Sequence, residues 1–354
     1  MIALDTVRLT MPEHAARPSP RLATHPETRA DLRPRAARPV DTLTLSGNEH
    51  LGFGFGRLAH DRLGGLVRAE LSAKVLGADY LRGITRETAA AAADALTRSG
   101  FLDVTPEALL GADVTRADAF VNLSRGPELG DDFAALRTLG THPRWKLTKA
   151  GRSPSTSLRW NGRGGTLRAY DKGAELGAVR NRAFVRTLPP SVQAEAVGLV
   201  RFEREAAGNA KARALASVAV HETCATLGTV LASTRPAVAE TFGDVRRPAA
   251  QAELFADAER YAEAVAAELE LNPGKRLVGE VWRRFGLATF VAAVEGDAEA
   301  VREWLRRYGG PKASELYPEA EAACRAYLSG PDHARKCRAD ARLDVLAALL
   351  ADAA

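Results

Sequence analysis

"STSLRWNGRGGTLRAYDKG", residues 155–173, decides the reading of this chain. Two alternating apolar/polar segments flank Asn161-Gly162-Arg163-Gly164-Gly165, whose glycines permit the positive φ of a tight turn. The stretch reads as a β-hairpin. Its second strand leads into Tyr170, with Arg168 two residues before and Lys172 two residues after. Strand side chains alternate, so the three can share one face. Such a tyrosine is either an ordinary half-buried strand residue or a nucleophile whose hydroxyl attacks a phosphate.

The second reading sets requirements. A phenol, with a pKa of about 10, needs help to act as a nucleophile. A divalent cation polarises a phosphate and stabilises charge on the leaving oxygen. Mg²⁺ and Mn²⁺ take oxygen ligands, so carboxylates should face the tyrosine. Two further strands offer them. "ADVTRADAFVNL" (112–123) alternates, with Val114, Arg116, Asp118 and Phe120 on one face. "GLVRFERE" (198–205) puts Arg201, Glu203 and Glu205 on one face and turns Val200 and Phe202 towards a core. The same patterns also describe a solvated sheet face and a salt-bridge ladder. Asp171 points away from Tyr170 by alternation and is left without a role.

Working outward, residues 2–10, 41–56 and 66–76 have strand character, with a turn at Ser46-Gly47-Asn48. Residues 12–39 hold six prolines and six arginines and read as a long loop or arm. Residues 85–101 read as a helix capped by Thr85 and ended by Gly100, and 130–140 as a second helix. From about 209 the pattern is helical, broken near 247–249, 273 and 311. Leu254, Ala258, Tyr261, Val265 and Leu269 form one helical stripe. Cys224 and His221 sit in an apolar helical run, as buried and structural residues. No internal repeat is read. "GFGFG" (52–56) leads into no helix and is not a phosphate-binding fingerprint. The expected fold is α+β: a central antiparallel sheet with flanking helices over 1–215, then a helical region over 216–354 that is a candidate DNA-binding part.

The chain has 354 residues, 46% hydrophobic and 26% charged, with a formal net charge of +5. That balance is compatible with nucleic acid. Three scattered cysteines exclude a disulfide framework and a cysteine-based zinc site. Neither a signal peptide nor a membrane span is read, so a cytoplasmic protein without a membrane partner is expected.

In order, these segments resemble the filamentous-phage gene II/gene X-type replication initiators of phages and plasmids. "LDTVRLTMP" (4–12) is similar to the family's opening Ile-Asp strand, and "AELSAKVLGADYLRGIT" (69–85) to its Ser-x-x-Lys-Val-Leu segment, with Asp79 near the family's Asn. "VTRADAF", the hairpin ending in Tyr170, and "GLVRFERE" are similar to the three segments that follow. The resemblance covers roughly residues 1–215. It implies a rolling-circle initiator: a metal-dependent, site-specific single-strand DNA endonuclease that nicks and rejoins its origin through a 5′-phosphotyrosyl intermediate. Tyr170 is then the nucleophile, Lys172 contacts phosphate, and Asp118 and Glu203, with Glu205, hold Mg²⁺ or Mn²⁺. Arg116, Arg168, Arg201 and Lys74 are the DNA-binding cations. The partners are single-stranded or hairpin origin DNA and the helicase and polymerase of a bacterial host. The histidines lie at 14, 25, 50, 60, 142, 221 and 333, so the His-hydrophobic-His pair of many nickases is absent. A non-catalytic DNA-binding copy-control regulator is the rival, with a helix-turn-helix candidate over 279–309 around Gly286.

Overall fold

The computed structural model describes residues 2–31, 34–35, 38–39, 42–46, 53–139, 145–149, 156–162, 165–216, 224–246, 249–268 and 274–353. The fold is α+β: one large antiparallel sheet, flanking helices and a helical C-terminal part. In chain order the sheet strands are β1 (Ala3–Pro12), β2 (Arg29–Asp31), β3 (Thr42–Ser46), β4 (Phe55–Asp61), β5 (Leu66–Ser72), β6 (Asp113–Ser124), β7 (Trp145–Lys149), β8 (Ser157–Gly162), β9 (Gly165–Asp171) and β10 (Leu199–Ala207). Across the sheet they run β7-β8-β9-β10-β6-β1-β5-β4-β3-β2, and a short β11 (Ala225–Thr226) pairs with the start of β6.

That order is palindromic. From the centre outward, one half reads first, fifth, fourth, third and second strand, and so does the other. Each half begins on a central strand, jumps to an edge and meanders back to pair with its own first strand. The sequence echoes the topology: Leu66-Val67-Arg68-Ala69-Glu70 on β5 answers Leu199-Val200-Arg201-Phe202-Glu203 on β10. The hairpin registers agree as well. Arg57 lies opposite Glu70 and Ala59 opposite Arg68; Arg168 lies opposite Glu203 and Tyr170 opposite Arg201. The sequence-based expectation of no internal repeat is thus corrected. Unequal connections hide it: β4 and β5 are joined by residues 62–65, β9 and β10 by residues 172–198 with their helices.

Alternation gives the sheet two unlike faces. Leu9, Val67, Leu71, Trp160, Leu167, Val200 and Phe202 are buried on one. Helices cover that face: Phe242 of Ala237–Arg246 packs edge-on against Phe202 at 5.4 Å. Burying each such side chain contributes about 1.5–3 kcal/mol. The other face carries Arg8, Arg57, Arg68, Glu70, Arg116, Asp118, Arg159, Arg168, Tyr170, Glu203 and Glu205.

Several local expectations change. Residues 12–39 are not simply an arm. Ala16–Pro18 pairs with Leu102–Val104, and Arg29–Asp31 joins the sheet as β2. Pro20–Thr24 is a helix, because Ser19 caps it and Pro20 sits at its start, where a missing N–H costs nothing. The expected helix at 85–101 spans Ala89–Arg98, since Thr85 and Thr88 bond each other's backbone in the turn before it. Cys224 is half-buried beside β11, not in a helix. Gly47, Asn48, His221 and Leu269 lie outside the described residues, and Leu254 falls in helix Ala249–Glu268.

The chain divides into two compact units, Met1–Val245 with Val345–Ala354, and Arg246–Asp344. The break falls after Val245 rather than at 215/216, because helices Asn209–Ala216 and Ala237–Arg246 bury Ala212, Leu215 and Phe242 with the sheet. The second unit is helical around Ala258, Val265, Val281, Phe290, Trp304 and Leu305. Residues 279–309 lie in helices Lys275–Phe285, Leu287–Ala293 and Ala298–Tyr308, whose apolar faces build this core. Residues 246–344 hold 16 Lys and Arg against 17 Asp and Glu, so the chain's positive excess lies in the first unit. Among the described residues no helix is long and apolar enough to cross a membrane.

Candidate functional site

The polar face of β9, β10, β6 and β1 gathers the candidate residues. Tyr170 is half-buried near the end of β9, and its hydroxyl donates to Oε2 of Glu203 at 3.0 Å. Burial, then the charges of Glu203 and Asp5, push its pKa well above the ordinary value, against the pull of Arg201. Glu203 is 2% exposed. Burial, and after it repulsion from Asp5 and Asp118, push its pKa up to about 8. Asp118 is equally buried and bonded by Arg116 at 2.7 and 3.1 Å. Burial still pushes its pKa up to about 6, against Arg116. Glu205 lies opposite Asp118 and is bridged by Arg168 at 3.0 Å and by Arg116 and Arg159 at 3.4 Å. The structure thus brings Tyr170, Asp118, Glu203, Glu205, Arg116 and Arg168 onto one patch.

Two expected DNA-contacting cations are elsewhere. Arg201 is 0% exposed. It donates to Asn122 at 2.8 Å, to the Leu81 carbonyl at 3.3 Å and to Asp5, and its guanidinium lies 3.7 Å over the Phe120 ring. Gly83 makes room for that ring: a Cβ there would sit 2.4 Å from Phe120. Lys172 is 1% exposed, 3.2 Å from Glu175 and 3.9 Å from Asp5, with its amine over the rings of Tyr80 and Tyr170. Burial, then the charge of Arg201, lowers its pKa to about 8 despite both carboxylates. Neither cation reaches solvent here, unlike Arg116 and Arg168. The chain turns into helix Lys172–Gly177 right after Tyr170, which buries Lys172. Asp171 caps that helix, accepting from the Ala174 N–H at 2.9 Å. Lys74 is half-buried and donates to Asn181 at 2.8 Å.

Asp5, Tyr80 and Glu175 were not singled out in the sequence. Asp5 lies at a bulge between Leu4 and Thr6, so period-two alternation does not reveal which way it faces. Burial opposes its ionisation, but Lys172, Arg201 and Lys74 outweigh that and hold its pKa low. Tyr80 is buried and donates to Glu175 at 3.0 Å. The i, i+3 spacing of Lys172 and Glu175 was the one legible signal.

The donor set suits Mg²⁺ or Mn²⁺ in kind, being carboxylate oxygen throughout. Asp118 and Glu203 repel each other, a strain a dication would relieve. Among the described residues, however, no three His, Cys, Asp or Glu side chains converge as a metal cage. The arginines hold the carboxylates instead. No protein-family model, curated protein or solved structure matches this chain.

Proposed function

We propose that the chain is a rolling-circle replication initiator that nicks and rejoins one DNA strand through Tyr170. One observation carries the reading: the Tyr170 hydroxyl donates to Glu203 on a polar sheet face beside Asp118, Arg168 and Arg116. A hydroxyl bonded to a carboxylate of raised proton affinity is a nucleophile paired with its base. The resemblance over residues 1–215 supports the same activity.

Arg168 and Arg116, both partly exposed, bind the phosphates around the scissile bond. Glu203, in its ionised form, takes the Tyr170 proton. The phenolate oxygen forms a bond to phosphorus as the bond from phosphorus to the 3′ oxygen breaks. That oxygen takes a proton from water, leaving a free 3′-OH and a 5′-phosphotyrosyl ester. The host polymerase extends the 3′ end in the bacterial cytoplasm. The ester conserves the energy of the cut bond, so rejoining needs no ATP. Arg201 and Lys172 act as positioning residues: the charge of Arg201 favours the Tyr170 phenolate, and the Lys172 amine lies 5.3 Å from the centre of the Tyr170 ring. Asp118 and Glu203, whose mutual repulsion a dication would relieve, would offer carboxylate oxygens to Mg²⁺ or Mn²⁺, which when bound would polarise the phosphate.

The test is a covalent-adduct gel. Purified protein is mixed with Mn²⁺ and single-stranded DNA spanning the region beside its own gene. A band shifted in wild type, lost with EDTA and lost in Tyr170→Phe, is expected. An adduct surviving Tyr170→Phe would move the nucleophile elsewhere. Tight DNA binding with no adduct would favour the regulator.

A further inference from the structure

The half of the sheet without the tyrosine keeps the motif of the half that has it. Arg57 and Glu70 occupy the hairpin positions of Arg168 and Glu203, Arg68 that of Arg201, and Ala59 that of Tyr170. We infer that this first half is a second, non-cleaving subsite, in which Arg8, Arg57 and Arg68 bind backbone phosphates of the single strand cut at Tyr170. The inference rests on the nicking reading for its ligand. The geometry carries the rest.

The three arginines stand on three neighbouring strands of the polar face, around Glu70. Arg8 lies opposite Glu70 and bonds it at 2.6 and 2.9 Å. Arg57 donates to Thr44 at 3.3 Å, and Arg68 approaches Asp61 at 4.0 Å. Three guanidiniums against Glu70 and Asp61 leave the patch positive. The side chains of Arg8 and Arg68 are 47% and 48% exposed, whereas Arg201 is sealed in. An arginine fork bonded through one edge to a carboxylate still presents donors to a phosphate. The path is continuous, since Arg116 and Arg8 face each other where the halves meet. From β9 to β4 is five strand spacings, about 24 Å. An extended single strand crosses that distance with a few nucleotides. A flat face with cations on successive strands suits its flexible backbone.

The experiment measures binding of fluorescent single-stranded DNA across a salt series, with wild type and the double variant Arg57→Gln, Arg68→Gln. Both positions are exposed, and unchanged melting confirms folding. An oligonucleotide of about 16 residues should bind the variant roughly tenfold more weakly, with a salt slope shallower by about 1.4, the value for two lost phosphate contacts. A piece of about 2 residues anchored at the nick site, too short to reach β4, should bind both alike. Equal affinity and slope on the long strand would overturn the subsite, as would tighter binding to duplex than to single strand. The adduct gel separates the two ideas. Adduct formation by wild type with no binding defect in the variant removes the subsite and leaves the nickase. A binding defect in the variant with no wild-type adduct removes the nickase and leaves the subsite.

Discussion

The two halves of the sheet share topology, hairpin register and the Leu-Val-Arg-x-Glu motif, yet only one builds a buried charged centre. The difference starts at the central strand. Glu70 faces Arg8 across β1, and the pair stays in solvent. Glu203 faces Phe120 across β6, and the Phe120 ring lies against Arg201. The connection after β9 then folds back as helices, placing Lys172 and Glu175 beside Tyr80. The connection after β4 is only a turn. One motif therefore serves two electrostatic regimes. In water its ion pair is worth little. Under cover each charge must be matched, and proton affinities shift.

The largest break of the comparison is chemical. Tyr170→Phe should abolish the DNA adduct, and adding Ala59→Tyr to that variant should not restore it, because Ala59 faces no buried centre. An adduct from the double variant would show the halves equivalent. Next come stability contrasts by denaturant unfolding. Arg201→Ala strands Asp5 without its hydrogen-bonding arginine and should cost about 3–5 kcal/mol. Phe202→Ala empties the contact with Phe242 and should also cost about 3–5 kcal/mol, whereas the matching position in the first half is already Ala69. A cost below about 1 kcal/mol at either would mean that half is not tightly packed.

A pH contrast is smaller. The Glu203 pKa rises from 4.5 to about 8 on folding, so between those values the folded chain binds more protons than the unfolded one. Its contribution to stability is full below pH 4.5 and is lost as pH rises through about 8. Glu203→Gln does not titrate. Without added metal, its unfolding free energy should gain on wild type as pH rises across that window, by a few kcal/mol at about 1.4 kcal/mol per unit. A constant gap would refute the shift. Arg68→Ala, the exposed counterpart of Arg201, should stay within about 0.5 kcal/mol.

Much of this was legible in the residues. The strands carrying Asp118, Tyr170 and Glu203 alternate cleanly, and strand periodicity alone put them on polar faces. The glycines around Arg163 suggested a hairpin; its strands pair from Ser157 opposite Tyr170 to Gly162 opposite Gly165, while Arg163 and Gly164 lie outside the described residues. Local rules also misled. Proline and arginine suggested an arm at 12–39, where Ser19 and Pro20 instead start a helix and β2 finds a partner. Lys172 and Arg201 were read as surface cations because alternation gives a face, not what later covers it.

The sequence by itself determined the α+β class, the hairpin and the strand positions of the candidate residues. These follow from short-range periodicity and turn chemistry, which act within a few residues. Tertiary structure alone decided which face is covered, how Asp5 reaches Arg201 from 196 positions away, and that two Leu-Val-Arg-x-Glu strands are related. Burial and Coulomb energy depend on neighbours brought together by strand order, and strand order is written in no single stretch of the chain.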